Sequence, residues 1–192
     1  MKKVMLPGIL GGLLVFIWSA IAHIALPIGI MGFKVIPNNE DALLSAMKSN
    51  IQQSGLYLLP GIDMSKTPTE AERNAWQLKY EAGPTAFLVY HPTGVEAMSP
   101  GQLIRQALFQ IVGGLIAAFI ISATVASLTT RAVMVMLMGL FAWLAFSAPY
   151  WNWYRFPAAF AIGEGLDRVI GWLLGGFLIA WLIRRAEKKA AV

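Results

Sequence analysis

The chain of 192 residues contains no cysteine. Disulfides, thiolate metal centres and cysteine nucleophiles are therefore excluded at once. Charge is scarce as well: Asp, Glu, Lys and Arg make up 13% of the residues, against about 25% in an ordinary soluble domain. Such a chain cannot cover a water-facing surface. Histidine occurs twice, at His23 and His91, and neither has a carboxylate pair at ligand spacing, so no metal site and no cofactor is expected. No serine stands in a G-x-S-x-G setting, which leaves no nucleophile elbow. The pairs Gly11-Gly12, Gly113-Gly114 and Gly175-Gly176 lie inside apolar runs, where packing explains them better than a phosphate cradle does.

Apolar residues are abundant, at 57%, and they come in long blocks of the kind a polytopic membrane protein needs. The first block, residues 4–33, has His23 as its one strongly polar side chain and Pro27 as a plausible kink site. Lys2, Lys3 and the sequence Ala20-Ile21-Ala22 have the form of a secretory signal. The apolar run continues well past Ala22, so a retained anchor is expected instead. Further blocks over 103–127, 131–149 and 156–183 complete four predicted spans, and a basic tail follows over 184–192.

Residues 34–102 differ abruptly, with seven of the ten acids and five of the basic residues. This segment is expected in water as a small α/β insertion between spans one and two. Asn38 or Asn39 can cap a helix running to about Ile51. Leu56-Tyr57-Leu58-Leu59 reads as a strand. Thr67-Pro68-Thr69-Glu70 has the pattern of a capping box opening a second helix to about Glu81, and Ala86 to Tyr90 reads as a second strand. The strands are expected to pair and to be covered by the two helices, because two strands alone are marginal in water.

The fold class is thus an α-helical integral membrane protein with four transmembrane helices. Its net charge is +5, yet the lysines and arginines at positions 2, 3, 131, 184, 185, 188 and 189 flank apolar blocks, so nucleic acid is not an expected partner. Those flanks place both termini in the cytoplasm and the insertion outside it. The expected location is a bacterial inner membrane.

Four constellations stand out. The stretch PYWNWYRFP over 149–157 puts Tyr150, Trp151, Trp153 and Tyr154 at the outer face, where an interfacial aromatic belt would lie. A protein interface or a ligand site is an alternative for the same residues. Glu164, Asp167 and Arg168 are ionisable groups near membrane depth, which mark either a structural network or a functional site. Glu164 and Arg168, spaced i,i+4, can neutralise each other, leaving Asp167 for Arg155 or Arg105. His23 can act as a proton switch, or as a histidine bonded across a helix interface. Gly8-x-x-x-Gly12, Gly171-x-x-x-Gly175 and the stripe Gly114, Ala118, Ser122, Ala126 allow close helix approach.

Phe16-Ile17-Trp18-Ser19-Ala20, Leu56 to Pro60, Pro149 to Tyr154 and Asp167-Arg168-Val169-Ile170-Gly171-Trp172 resemble an uncharacterised family of small bacterial four-helix inner-membrane proteins with a periplasmic insertion. The resemblance covers most of the length. It implies the topology and transfers no catalytic or binding residue. Three close-packing faces exceed the evident needs of a minimal bundle, so a non-catalytic accessory or scaffolding subunit is expected, packing laterally in the bilayer with other membrane proteins or a second copy. The alternatives are a small transporter or channel using Glu164, Asp167, Arg168 and His23, and a lipid-active enzyme in which the carboxylates converge with His91.

Overall fold

The structure, a computed structural model, describes residues 2–190. The last two tail positions and Met1 lie outside the described residues. Among the described residues, four helices are long and apolar enough to cross a membrane. The chain divides into two units, residues 1–34 with 98–192, and residues 35–97.

In the first unit, helix α1 spans Lys2–Ile24 and a single 3-10 turn follows over Pro27–Ile30. The predicted span 4–33 therefore ends as a helix at Ile24, and Pro27 starts the next turn instead of kinking this one. Proline fits there because the first position of a helical turn needs no N–H donor. Helix α4 spans Pro100–Ser122, and its capping box joins Ser99 to Gln102. Helix α5, Leu128–Ala142, passes through a π turn at Trp143–Ser147 into α6, Ala148–Tyr154. The span expected over 131–149 continues to Tyr154, with Pro149 inside α6. The π turn lengthens the hydrogen-bond step by one residue, so that the Ala148 N–H reaches the Trp143 carbonyl. That slip adapts the ladder just where proline offers no donor. Arg155 reverses the chain in a left-handed conformation, φ 57°, and α7 runs over Ala158–Ala190, extending the fourth span through most of the tail.

Glycines decide which helices meet. A Cβ on Gly12 would lie 2.6 Å from the Ile111 Cα, one on Gly8 would lie 2.7 Å from the Leu115 Cα, and one on Gly114 would collide with the Gly8 carbonyl. Helices α1 and α4 thus pack antiparallel, backbone against backbone. One step around α1, Gly11, Val15 and Trp18 meet Gly175 and Gly171 of α7. Trp172 lies in the space that Gly113 and Gly139 leave by lacking side chains, and Gly176 admits Val135 of α5. The buried core at the far end from the 3-10 turn is Ala117, Ala118, Ile121, Val135, Ile179, Ala180 and Ile183. The packing faces of Gly8, Gly12, Gly114, Ala118, Gly171 and Gly175 are consumed within the bundle, which removes the surplus inferred from sequence. Ser122 is the last residue of α4, and its hydroxyl donates to the Phe119 carbonyl of the same helix. Ala126 lies beyond the helix.

The second unit contains α2 (Glu40–Asn50), β1 (Gly55–Leu59), α3 (Glu70–Ala82) and β2 (Ala86–Tyr90). The strands pair antiparallel, with Gly55 opposite Tyr90 and Leu59 opposite Ala86. The expected cover is missing: neither α2 nor α3 buries a residue, and the buried residues of this unit are Pro68 and Tyr90. Trp76 ties α3 to the end of β1 by donating to the Pro60 carbonyl, 3.0 Å. Asn39 stands before α2 but makes no side-chain cap bond. The capping box of α3 is Thr69 with Glu72, two residues later than the Thr67 frame read from sequence. The later frame wins because it places both Glu70 and Glu72 in the positive first turn and lets Glu72 also pair with Lys66, 3.3 Å.

Two predictions follow from local geometry. Gly114→Ala forces α1 and α4 apart and costs about 1–3 kcal/mol, whereas Gly101→Ala, whose Cβ meets nothing closer than an Arg105 side-chain nitrogen at 3.4 Å, leaves the bundle at least as stable; unfolding in detergent micelles measures both. Hydrogen bonds from Thr69 hold the Glu72 carboxyl below its ordinary 4.5, and bonds from Ser65 hold Asp63 below 3.8. Their contribution to the insertion is fully present above those values and is lost as pH falls through the lowered ones. The Thr69 amide resonance, followed by NMR, will report fraying of α3 below about pH 4 and none between pH 5 and 8.

Candidate functional site

One cleft in the helical unit gathers most of its uncommon polar side chains. Helix α1 supplies Ser19 and His23, one turn apart on a single face. Helix α4 supplies Gln106 and Gln110 in the same register, and α7 supplies Glu164, Asp167 and Arg168. The cleft measures about 310 Å³, and Phe16, Ile24, Met98 and Leu103 form its apolar walls. Small residues bring α7 close enough. Gly163 lies against the 3-10 turn, where a Cβ would stand 2.8 Å from the Ile28 carbonyl, and Gly32, at φ 84°, turns the chain past Phe160.

Within the cleft Arg168 binds Glu164 at 3.2 Å, the i,i+4 pair read from sequence. Asp167 takes neither expected arginine. Its Oδ2 accepts from the Ser19 hydroxyl at 3.1 Å, and its backbone carbonyl accepts from the Trp18 indole at 3.1 Å. Its Oδ1 is buried with no partner among the described residues. Arg105 and Arg155 are exposed. His23 does not bridge two helices: its Nδ1 lies 2.9 Å from the Ser19 carbonyl of its own helix. The cluster can therefore offer a carboxylate oxygen, an imidazole and two amides to a small polar guest. Among the described residues no group of three His, Asp or Glu side chains is placed to hold a metal. His91 belongs to the turn after β2, where the Gly94 N–H donates to its carbonyl.

The aromatic stretch is helical as far as Tyr154, and Arg155 to Pro157 form the connection that follows. Tyr150 lies 5.2 Å from Phe146, and 5.5 Å from both Tyr154 and Phe156, while Phe156 and Phe160 continue the row at 5.4 Å. Trp151 and Trp153 point outward, with 48% and 75% of their surface exposed. Trp143 donates to the Ala161 carbonyl at 2.9 Å and fixes the start of α7 beside this row.

A second polar site escaped the sequence reading. Arg131, taken there as a topological charge, is 4% exposed. Its guanidinium binds both carboxylate oxygens of Glu187 at 2.8 and 3.0 Å, and the Thr124 carbonyl at 2.6 Å. Fifty-six residues separate the two partners, so no local pattern announces the pair; the one available signal is that Glu187 is the lone acid in a basic tail.

Comparison with protein-family models, curated proteins and solved structures finds no match.

Glu187→Ala leaves the buried Arg131 guanidinium with one carbonyl partner. The expected loss is about 1–3 kcal/mol, discounted because Glu187 itself is half exposed. Arg131→Met removes the buried charge together with its partner's role and costs less. Unfolding of both variants in the same micelles gives the order.

Proposed function

We propose that this chain is a multi-pass protein of a bacterial inner membrane, with cytoplasmic termini and the insertion outside, acting as a non-catalytic accessory subunit. The observation that carries the reading is the state of the insertion. On one face of its two-stranded sheet, Leu56 and Val89 sit opposite each other, 64% and 66% exposed. Leu78 of α3 is 70% exposed, and Met64, at 73%, borders an open groove of about 700 Å³ with Trp76 and Arg73. Apolar surface of this kind on so small a unit is completed by a partner. The close-packing glycines no longer argue for lateral association, since the bundle uses them itself.

A second reading, passage of a small polar species, is favoured by the unpartnered Asp167 Oδ1 beside a cleft. Against it, the apolar core from Ala117 to Ile183 fills the bundle beyond the cleft.

Purification from native membranes is expected to recover a second protein, and Val89→Lys to release it while leaving unfolding of the bundle unchanged. A monodisperse monomer without a companion overturns the accessory role. Labelling of intact cells should modify Lys66 and spare Lys188; the reverse inverts the topology. Flux in liposomes that Glu164→Gln and Asp167→Asn abolish would favour passage over the subunit reading.

A further inference from the structure

The described end of α7 builds a second cleft, of about 320 Å³, remote in sequence from the Asp167 site. Arg184, Arg185 and Lys188 line it together with Trp181 and with Leu128 of the first turn of α5. Among the described residues no carboxylate lines it. The one acid in this part of the helix, Glu187, is engaged bidentately by Arg131 and is not part of the lining. Three cations thus share a concavity, and the one acid near them, Glu187 beside Arg184, is already committed to Arg131. That arrangement is unfavourable for an empty site, because like charges on neighbouring turns repel.

The walls say what kind of anion fits. The Arg185 guanidinium lies 5.5 Å from the centroid of the Trp181 ring, a stacking that steadies the side chain and leaves its N–H groups free to donate. Arginine pairs of this sort suit the oxygens of a phosphate, which accept two parallel hydrogen bonds. Trp181 and Leu128 add an apolar wall, which a freely diffusing phosphate would not use and the glycerol and acyl portion of a lipid would. The cleft also stands where the apolar run of α7 gives way to charge, the level at which headgroups meet a spanning helix.

We propose that this cleft is a binding site for the phosphodiester headgroup of an anionic phospholipid. The inference rests on the membrane-spanning reading. It does not depend on the accessory role.

The test uses the full-length protein in neutral detergent, titrated with dioleoyl phosphatidylglycerol or with dioleoyl phosphatidylcholine and followed by native mass spectrometry and thermal unfolding. Phosphatidylglycerol is expected to bind at one site and raise the Tm, and phosphatidylcholine to do neither. Arg184→Gln/Arg185→Gln should weaken phosphatidylglycerol binding by roughly tenfold or more. Lys189→Gln, which removes a charge outside the cleft, should change it less than about twofold. Lys188→Gln provides a milder variant, and unfolding in lipid-free detergent verifies that each variant is folded. Equal weakening by Lys189→Gln overturns the site in favour of a diffuse basic field. Displacement of the lipid by millimolar inorganic phosphate overturns the lipid assignment in favour of a soluble phosphate. The membrane reading is checked separately by flotation with phosphatidylcholine vesicles: a chain that stays soluble without detergent fails that reading, whereas one that floats but ignores phosphatidylglycerol fails this proposal alone.

Discussion

Everything in the helical unit depends on how near α1 comes to two neighbours at once. Where helices of this length and apolarity cross a bilayer, the hydrophobic effect supplies little drive for them to associate, and dispersion contacts between close backbones substitute for it. Gly8 and Gly12 give α1 that proximity to α4, and Gly11, with Val15 and Trp18 above it, gives the same to α7. The adjacent glycines at 11 and 12 therefore serve different partners. Once α1 is wedged, α7 is held in place for α5, and Gly139, Gly113 and Gly176 let Trp172 and Val135 fill the remaining space.

The polar groups can be read as consequences of that wedge. Ser19 and Trp18 reach Asp167 because Gly171 lets the two helices touch one turn away. A carboxylate that deep in a bundle has to find donors on a neighbour, and it finds one for Oδ2 and none for Oδ1. At the opposite end Arg131 is drawn inside by Glu187 and the Thr124 carbonyl. The two ends differ in kind. One holds a carboxylate with Oδ1 unmet and facing a cleft, whereas the other holds a guanidinium whose two terminal nitrogens have acceptors while its buried Nε has none among the described residues, with a row of cations left outside it.

What the sequence made legible was what local chemistry decides. The apolar runs, the two strands and the Glu164 to Arg168 pair all rest on residues within a few positions of each other or on a pattern repeated along one element. The α3 cap was seen in kind but placed two residues early, because Thr67 and Thr69 offer overlapping frames and Lys66 breaks the tie only in three dimensions. Partners far apart in sequence were not legible. Ser19 stands 148 positions from Asp167, and nothing near either names the other. The glycine motifs were recognised, but whether a close-packing face is spent inside the bundle or left for a companion depends on the whole assembly. The insertion misled for the converse reason: amphipathic helices beside paired strands promise a shared core, and these side chains do not form one.

The widened turn at Trp143–Ser147 has a bearing on the aromatic row. One residue more per turn swings all that follows by about a hundred degrees around the axis, so the stripe of α5 does not carry through to α6. Tyr150 and Tyr154 face Phe156 because of that swing, and Trp151 and Trp153 are thrown outward. A rigid α-helix of the same sequence would aim its indoles elsewhere; the flaw that accommodates Pro149 is also what steers the rim.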